Sequence, residues 1–361
     1  MSDFEFNIKE NTLEELIRQK NQAGYGEKTW DEWFASLFSQ DKDKRSDLEQ
    51  VFEKLHYDKN YVEWVKSFAL NLNDVWNEPS ARQLTPENSD IVKERSAIIV
   101  GAGPSVKKHD HLKLLAESDY NGSIICTDRM LLPTLKAGIT PDRFAKFYVI
   151  TIDGAEILKK FYDDELLKKY VNKINGIFST IVHPSTVHNA RKNGVKVHWV
   201  HPLFDYHEGK KSFNQISSII VRAKNHSNGL PAIQTGGNVG TASWFVAWQI
   251  LKCNTVGLIG INHSWDVDDP WEKIAAHTNA PLNIDKNSAL FESLFPRVYN
   301  PEFKSYCMLD PVFQYYSNGL KEFISRSPEW LTTINATEGG CIFGSRIKCV
   351  TFSDFLSRYK N

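Results

Sequence analysis

No sign of charge dominates this chain. Its 43 Lys and Arg stand against 44 Asp and Glu, a formal net charge of −1. That balance excludes a global positive field of the kind that holds nucleic acid or an anionic membrane surface. Cysteine is scarce, and Cys126, Cys253, Cys307, Cys341 and Cys349 include no CxxC pair. Zinc-ligand spacing is therefore absent, and Cys126 and Cys253, in or beside apolar segments, read as buried thiols. No apolar run approaches the ~20 residues of a membrane helix. The opening "MSDFEFNIKENTLEEL" is too acidic and polar for a signal peptide. A reducing cytoplasm is the location these absences imply. Aromatic residues, by contrast, are plentiful. Ten Trp, thirteen Tyr and twenty-one Phe, with 41% hydrophobic residues overall, exclude disorder and supply a core.

The chain divides by pattern. Residues 1–90 carry apolar residues at helical spacing, as in "TWDEWFASLFSQ" and "DLEQVFEKLHYDKNYVEWVKSFALNLNDVW". Asn11 and Thr29 suit N-caps, and strand signals are missing, so this is a helical N-terminal region. The stretch Asn77–Asp90, with two prolines, reads as a linker. Residues 91–361 alternate short β runs with helical stretches: "AIIV", "GSIICTD", "FAKFYVITID", "GIFSTIVHP", "VKVHWVHP" and "TVGLIGINHSW" are strands. "AEILKKFYDDELLKKYV" reads as a helix, "STVHNARKNG" as a helix capped by Ser185, and "NVGTASWFVAWQILKC" as a long one. Such alternation predicts an α/β domain, Rossmann-like and doubly wound, with a mostly parallel sheet. Ligands of such sheets sit beyond the carboxyl ends of the strands.

Several polar or glycine-rich groups fall at those ends. In "AIIVGAGPSV", Gly101 and Gly103 permit close backbone approach to a ligand, Pro104 stiffens the turn, and Ser105 offers a hydroxyl. The third glycine of a dinucleotide fingerprint is missing, and no Walker A sequence occurs. In "QTGGNVGTASW", Thr235, Gly236 and Gly237 precede a helix that Asn238 is placed to cap, a second candidate site for an anion or a nucleotide. Asp128 and Asp153 end two strands, and Asp142 lies in a turn beside the third. A carboxylate there binds a ribose hydroxyl, holds Mg²⁺ against a diphosphate, or caps the next helix. His263, His183 and His201 also stand at strand ends, where a histidine serves as general base or as a hydrogen-bonded loop residue. Glu338, in "INATEGG", is an acid beside flexible backbone; Asn335 there also matches a glycosylation acceptor. Two glycine clusters in one open sheet point to a phosphate-bearing ligand. Each cluster also has a plain reading as a tight turn or cap.

Together "IIVGAGPSV", "AGITPDRF…YVITIDGA", "TGGNVGTASWFVAWQILKCNTVGLIGINHSW" and "INATEGGCIFG" resemble the 6-hydroxymethylpterin diphosphokinase-like family, a superfamily that also holds the motility accessory factor proteins. The resemblance spans about residues 90–356. It implies a Rossmann-like fold and one of two activities. One is transfer of diphosphate from ATP to 6-hydroxymethyl-7,8-dihydropterin with Mg²⁺, releasing AMP. The other is glycosyl transfer from a CMP- or other nucleotide-activated sugar to a glycan hydroxyl. A non-catalytic nucleotide-binding module is a third reading. By resemblance Gly101, Gly103, Pro104 and Ser105 face the nucleotide in both branches; in the sialyltransferase-like branch Thr235, Gly236 and Gly237 contact the nucleoside, and Asp128 lies near ribose or substrate. Thr151 stands where the diphosphokinase pattern D-x-D-G has its first Asp. Asn262 replaces the usual Asp before His263, and His277 is followed by Thr278 where the sugar transferases often have Phe. The expected catalytic residues are His263, Asp153 and Glu338, with Asp153 also the metal ligand. The expected partner is a small-molecule acceptor, with no nucleic acid.

Overall fold

Strand β1, Ser96–Val100, is buried along its whole length. Its side chains alternate between two cores: Ile98 and Val100 pack into one, Ala97 and Ile99 into the other. A strand apolar on both faces belongs at the centre of a sheet covered on both sides. In the computed structural model, which describes residues 48–87, 94–203, 213–223, 229–278, 280 and 282–359, this strand is the start of a nine-stranded sheet. The expected caps Asn11 and Thr29 lie outside the described residues.

From β1 the chain winds outward through β2 (Ser123–Thr127), β3 (Phe147–Thr151), β4 (Asn175–Ser179), β5 (Lys196–Leu203) and β6 (Ala232–Gln234). It then returns to the other side of β1 for β7 (Thr255–Ile259). A short antiparallel sheet follows, in the order β8–β10–β9, from Trp265–Asp266, Ser305–Met308 and Arg297–Asn300. Strands β11 (Thr332–Asn335) and β12 (Ile347–Cys349) complete the main sheet, whose order is β12-β11-β7-β1-β2-β3-β4-β5-β6. Every pairing in that sheet is parallel. The order reverses between β1 and β7, so the topological switch point lies at their carboxyl ends. The α/β, doubly wound, mostly parallel sheet expected from the alternation is the observed fold.

Helices cover both faces. One core takes side chains from α1 (Leu48–Asn77), α3 (His111–Glu117), α4 (Leu131–Lys136), α5 (Pro184–Lys192) and α11 (Phe352–Arg358), with the one-turn α2 (Ser105–Lys108) leading in. The other takes them from α7 (Val239–Phe245), its π-helical extension Val246–Ile250, and α10 (Pro311–Ser325). Among the remaining helices are α6 (Phe213–Ala223), α8 (Trp271–Thr278) and α9 (Ala289–Leu294).

Three local expectations change. The "AEILKKFYDDELLKKYV" segment forms two 3₁₀ stretches, Glu156–Tyr162 and Glu165–Tyr170, because Asp163 and Asp164 interrupt it. Asp164 caps the second stretch by accepting from Leu166 N. The cap of α5 is His183, whose Nδ1 accepts from Ser185 N, with Pro184 in the first turn; Ser185 lies inside the helix. Part of the Asn77–Asp90 stretch is docked: Pro79 O accepts from Trp199 N at 2.9 Å, and Ser80 bridges to Trp199 beside β5.

Helix α1 packs on the sheet. Trp64, Phe68 and Val75 join the main core. Asn71 Nδ2 donates to Thr180 O and Val182 O at 3.2 and 2.7 Å. Arg191 pairs with Asp74 and Glu78 at 2.9 and 2.6 Å, and Glu78 also accepts from Trp199 Nε1 at 2.8 Å. The helix also meets α10. Among the described residues, no helix is long and apolar enough to cross a membrane.

Candidate active site at the carboxyl edge

The two glycine clusters do different work. At the switch point the turn after β1 and the turn after β7 are packed into each other. Gly101 N donates to Ile259 O and Gly103 N to Gly260 O, both at 2.8 Å. A Cβ on Gly101 would stand 2.4 Å from Gly260 O, and one on Gly103 would stand 2.2 Å from Asn262 Oδ1. Gly260, at φ +65°, would put a Cβ 2.2 Å from Gly101 O. Ser105 is buried, and its hydroxyl donates to Asn262 Oδ1 at 2.9 Å. The loop after β11 joins them: Cys341 N donates to Asn262 O at 3.1 Å. The glycines here admit neighbouring backbone.

The second cluster lines a cavity of about 230 Å³. Its walls come from the carboxyl ends of β2 to β6 and from two helices that cross above them. Asp128 stands after β2, Ile152 and Asp153 after β3, Ile181 after β4, Pro202 is in β5, and Thr235, Gly237 and Asn238 follow β6. Trp64 from α1 and Tyr316 from α10 close it. Gly236 lies between two of these residues at φ +53°. Asn238 is the N-cap of α7, its Oδ1 accepting from Thr241 N at 2.9 Å while its Nδ2 donates to Gly236 O at 3.1 Å.

The cavity is acidic. Among the described residues no Lys or Arg lines it, while two carboxylates do. Asp128 is 7% exposed, and burial pushes its carboxyl up to about 6, with the neighbouring charge of Asp153 acting in the same direction. Opposing this, Arg129 N donates to Asp128 Oδ1 at 2.7 Å, and Thr151 gives it a side-chain hydrogen bond. Thr151 itself bonds Tyr162 Oη at 2.6 Å. Thr151 thus supports Asp128 from the position where the diphosphokinase pattern has an Asp. Asp153 is exposed at the rim, where its Oδ1 accepts from Ala155 N at 3.2 Å.

The other expected residues lie elsewhere. His263 is buried at φ +44°, its ring 6.4 Å from Phe313 and 5.9 Å from Tyr316. Burial, helped by the charge of Lys321, drives its pKa down to about 3, and its Nδ1 has no partner. It is a neutral imidazole outside the cavity lining. Glu338, at φ +60°, is committed to a strut: its Oε1 meets His111 Nε2 at 3.3 Å and accepts from Phe352 N at 3.0 Å at the start of α11. His201 is buried, with Nδ1 bonded to Thr180 Oγ1 and Nε2 to Ser217 Oγ. Asp142 pairs with Lys173 on the outer surface. In the acidic loop after His263, Asp266 pairs with Lys108 and Asp269 with Lys273. Asn335, the apparent glycosylation acceptor, is fully buried and donates to Ile342 O at 2.7 Å, so no glycan reaches it in the fold.

The structure therefore brings together Asp128, Asp153, Thr235, Gly237 and Asn238, and sets Gly101, Gly103, Ser105, His263 and Glu338 apart from that cavity. The aromatic walls Trp64 and Tyr316 had no local signal in the sequence; each belongs to an ordinary amphipathic helix. Burial pushes the thiols of Cys253 and Cys341 up to about 12. Among the described residues no group of three or more His, Cys, Asp or Glu is gathered as a ready-made metal site.

A 6-hydroxymethyl-7,8-dihydropterin pyrophosphokinase from Methanocaldococcus jannaschii is 32% identical over 107 residues, 27% of this chain and 44% of that protein. The match thus spans less than half of the relative. Among solved structures, the MAf glycosyltransferase from Magnetospirillum magneticum AMB-1 aligns with a TM-score of 0.49 at 15% identity, over 78% of this chain and 38% of that one. The family model described as 6-hydroxymethylpterin diphosphokinase MptE-like matches residues 66–268, from the middle of α1 to the loop after β8. On that match the chain belongs to the 6-hydroxymethylpterin diphosphokinase MptE-like family.

Proposed function

We propose that this protein is a transferase that moves diphosphate from ATP to the hydroxyl of a hydroxymethylpterin, releasing AMP. The observation that carries this reading is the buried Asp128 carboxylate in a small cavity with apolar and aromatic walls. Its described lining is acidic. It suits a flat heterocycle whose adjacent ring N–H and amino N–H donate to one carboxylate, as the 2-amino-4-oxo edge of a pterin does. At about 230 Å³ it has room for one ring system.

ATP then approaches from outside the cavity. The acceptor hydroxyl oxygen bonds to the β-phosphorus, the bond from that phosphorus to the AMP oxygen breaks, and the hydroxyl proton leaves to solvent. Catalysis of this kind is positioning and charge stabilisation. Asp153, exposed at the rim beside Asp128, fits the one or two carboxylates that Mg²⁺ takes from protein. Mg²⁺ bound with ATP would supply neutralisation of phosphate charge. Asp128 orients the ring, Thr151 orients Asp128, and the apolar walls exclude water.

The test is direct. Protein, ATP, Mg²⁺ and 6-hydroxymethyl-7,8-dihydropterin are expected to yield AMP and the pterin diphosphate, and Asp153→Asn to cut turnover at least about 100-fold. Absence of AMP with the pterin, or release of CMP from a CMP-activated sugar instead, overturns the assignment.

A further inference from the structure

Helix α1 lies largely before the region that the family model matches, yet it supplies a wall of the cavity. Trp64, two residues before that region begins, is 6% exposed and lines the same space as Asp128. Its seat depends on Gly154. A Cβ there would stand 2.7 Å from Trp64 Cδ1 and 2.8 Å from Ile181 O. The glycine that follows Asp153 in "TIDGA" thus clears room for an indole from a distant helix.

That indole is held in place from outside the cavity. Asn71, one helical stretch further on, anchors α1 to the carbonyls of Thr180 and Val182. Arg191 on α5 grips Asp74 and Glu78 nearer the helix end. Phe68, one turn after Trp64, packs edge-on to His201 at 6.1 Å. These contacts fix α1 without using the cavity, so the aromatic wall is preorganised rather than assembled by ligand. Tyr316 comes from α10, which α1 touches.

We propose that Trp64 is a specificity-determining residue of the acceptor site. Its indole covers one face of a planar heteroaromatic ring whose N–H edge pairs with Asp128. This rests on the function proposed above, and it makes α1 part of the site rather than a separate module. The ligand class it selects is flat, uncharged and N–H-bearing, with a ring face to stack on the indole and an edge to pair with Asp128.

Isothermal titration of the full chain with 6-hydroxymethylpterin, and separately with Mg·ATP, tests this in wild type, Trp64→Leu, Trp64→Phe and Asp128→Asn. Trp64→Leu keeps an apolar side chain but loses the ring. It is expected to weaken pterin binding about 10- to 100-fold, the range of base–aromatic stacking, and to leave the ATP affinity unchanged. Trp64→Phe keeps a smaller ring and is expected to lose about threefold. A Leu variant that binds pterin as wild type does, while Asp128→Asn has lost binding, overturns the role of Trp64 and leaves the function standing. Equal loss for pterin and ATP in either Trp64 variant marks a merely structural helix and also overturns it. If Trp64→Leu does not fold, the Phe variant decides: full loss of pterin binding with an unchanged melting midpoint contradicts stacking. A wild-type chain that binds no pterin overturns both this inference and the function on which it rests.

Discussion

Two glycine-rich turns at the carboxyl edge of one sheet have opposite fates. After β1, Gly101 and Gly103 are filled by the backbone of the turn after β7. After β6, Gly236 and Gly237 bend the chain away from the strands beside it and leave a cavity with Asp128 at its wall. The first region is close-packed and neutral, the second open and acidic. Similar local sequence thus serves interlocking in one place and lines a cavity in the other. The difference is set by what arrives opposite: a third strand turn in the first case, two helix side chains in the second.

The largest expected effect tests the packed turn. Gly260→Ala places a Cβ 2.2 Å from Gly101 O at φ +65°, and should cost about 3–5 kcal/mol in urea unfolding. Gly237→Ala meets the rings of Tyr315 and Tyr316, at 2.7 and 2.9 Å, which can swing aside; about 1–2 kcal/mol is expected there. Equal losses at the two positions would break the contrast.

Next comes the buried acid. The carboxyl of Asp128 is raised from 3.8 to about 6, so its contribution to stability is full below pH 3.8 and is lost as pH rises through 6. At pH 8 the ionised group costs on the order of 2–3 kcal/mol. Asp128→Asn should recover most of that at pH 8 and little at pH 3.5, while losing pterin affinity. Unfolding curves at the two pH values check it, and an Asn variant less stable at pH 8 would count against a desolvated carboxylate.

His263 tests the packed region from the acid side. Its pKa falls from 6.5 to about 3, so stability is complete above 6.5 and declines as pH drops toward 3, because the unfolded chain takes up the proton first. Near pH 5 the loss is about 2 kcal/mol. His263→Phe should remove that slope between pH 7 and 5; a slope unchanged in the variant assigns the acid sensitivity elsewhere. The smallest effect is Ser105→Ala. Loss of the bond to Asn262 should cost about 1 kcal/mol and leave pterin binding untouched, whereas a binding defect would return Ser105 to the ligand.

Much of this was legible in the chain itself. Runs such as "SAIIV" and "SIICT" are apolar on both faces, and a strand of that kind belongs inside a parallel sheet whatever its neighbours are. The order of strands and helical stretches then required a doubly wound fold and put Asp128, Asp153 and Thr235 at the carboxyl ends of strands. The short sheet of β8, β9 and β10 was not legible, since its strands are two to four residues long and carry no clear alternation. Nor was the division of labour among the strand ends. Ser105, His263 and Glu338 have the chemistry of site residues, and in the fold each satisfies a structural need or is buried apart from the cavity.

Periodicity, turn chemistry and strand order are local, and the sequence alone determined them: a parallel α/β sheet behind a helical region, with polar groups clustered at one edge. Which of those groups share a cavity is a matter of distances between residues far apart in the chain. Trp64 and Gly154 are separated by 90 positions, and Ser105 and Asn262 by 157. Only the tertiary structure decided that the first pair helps wall a cavity and the second closes a seam, because burial and hydrogen bonding are settled by whatever the completed fold lays against each side chain.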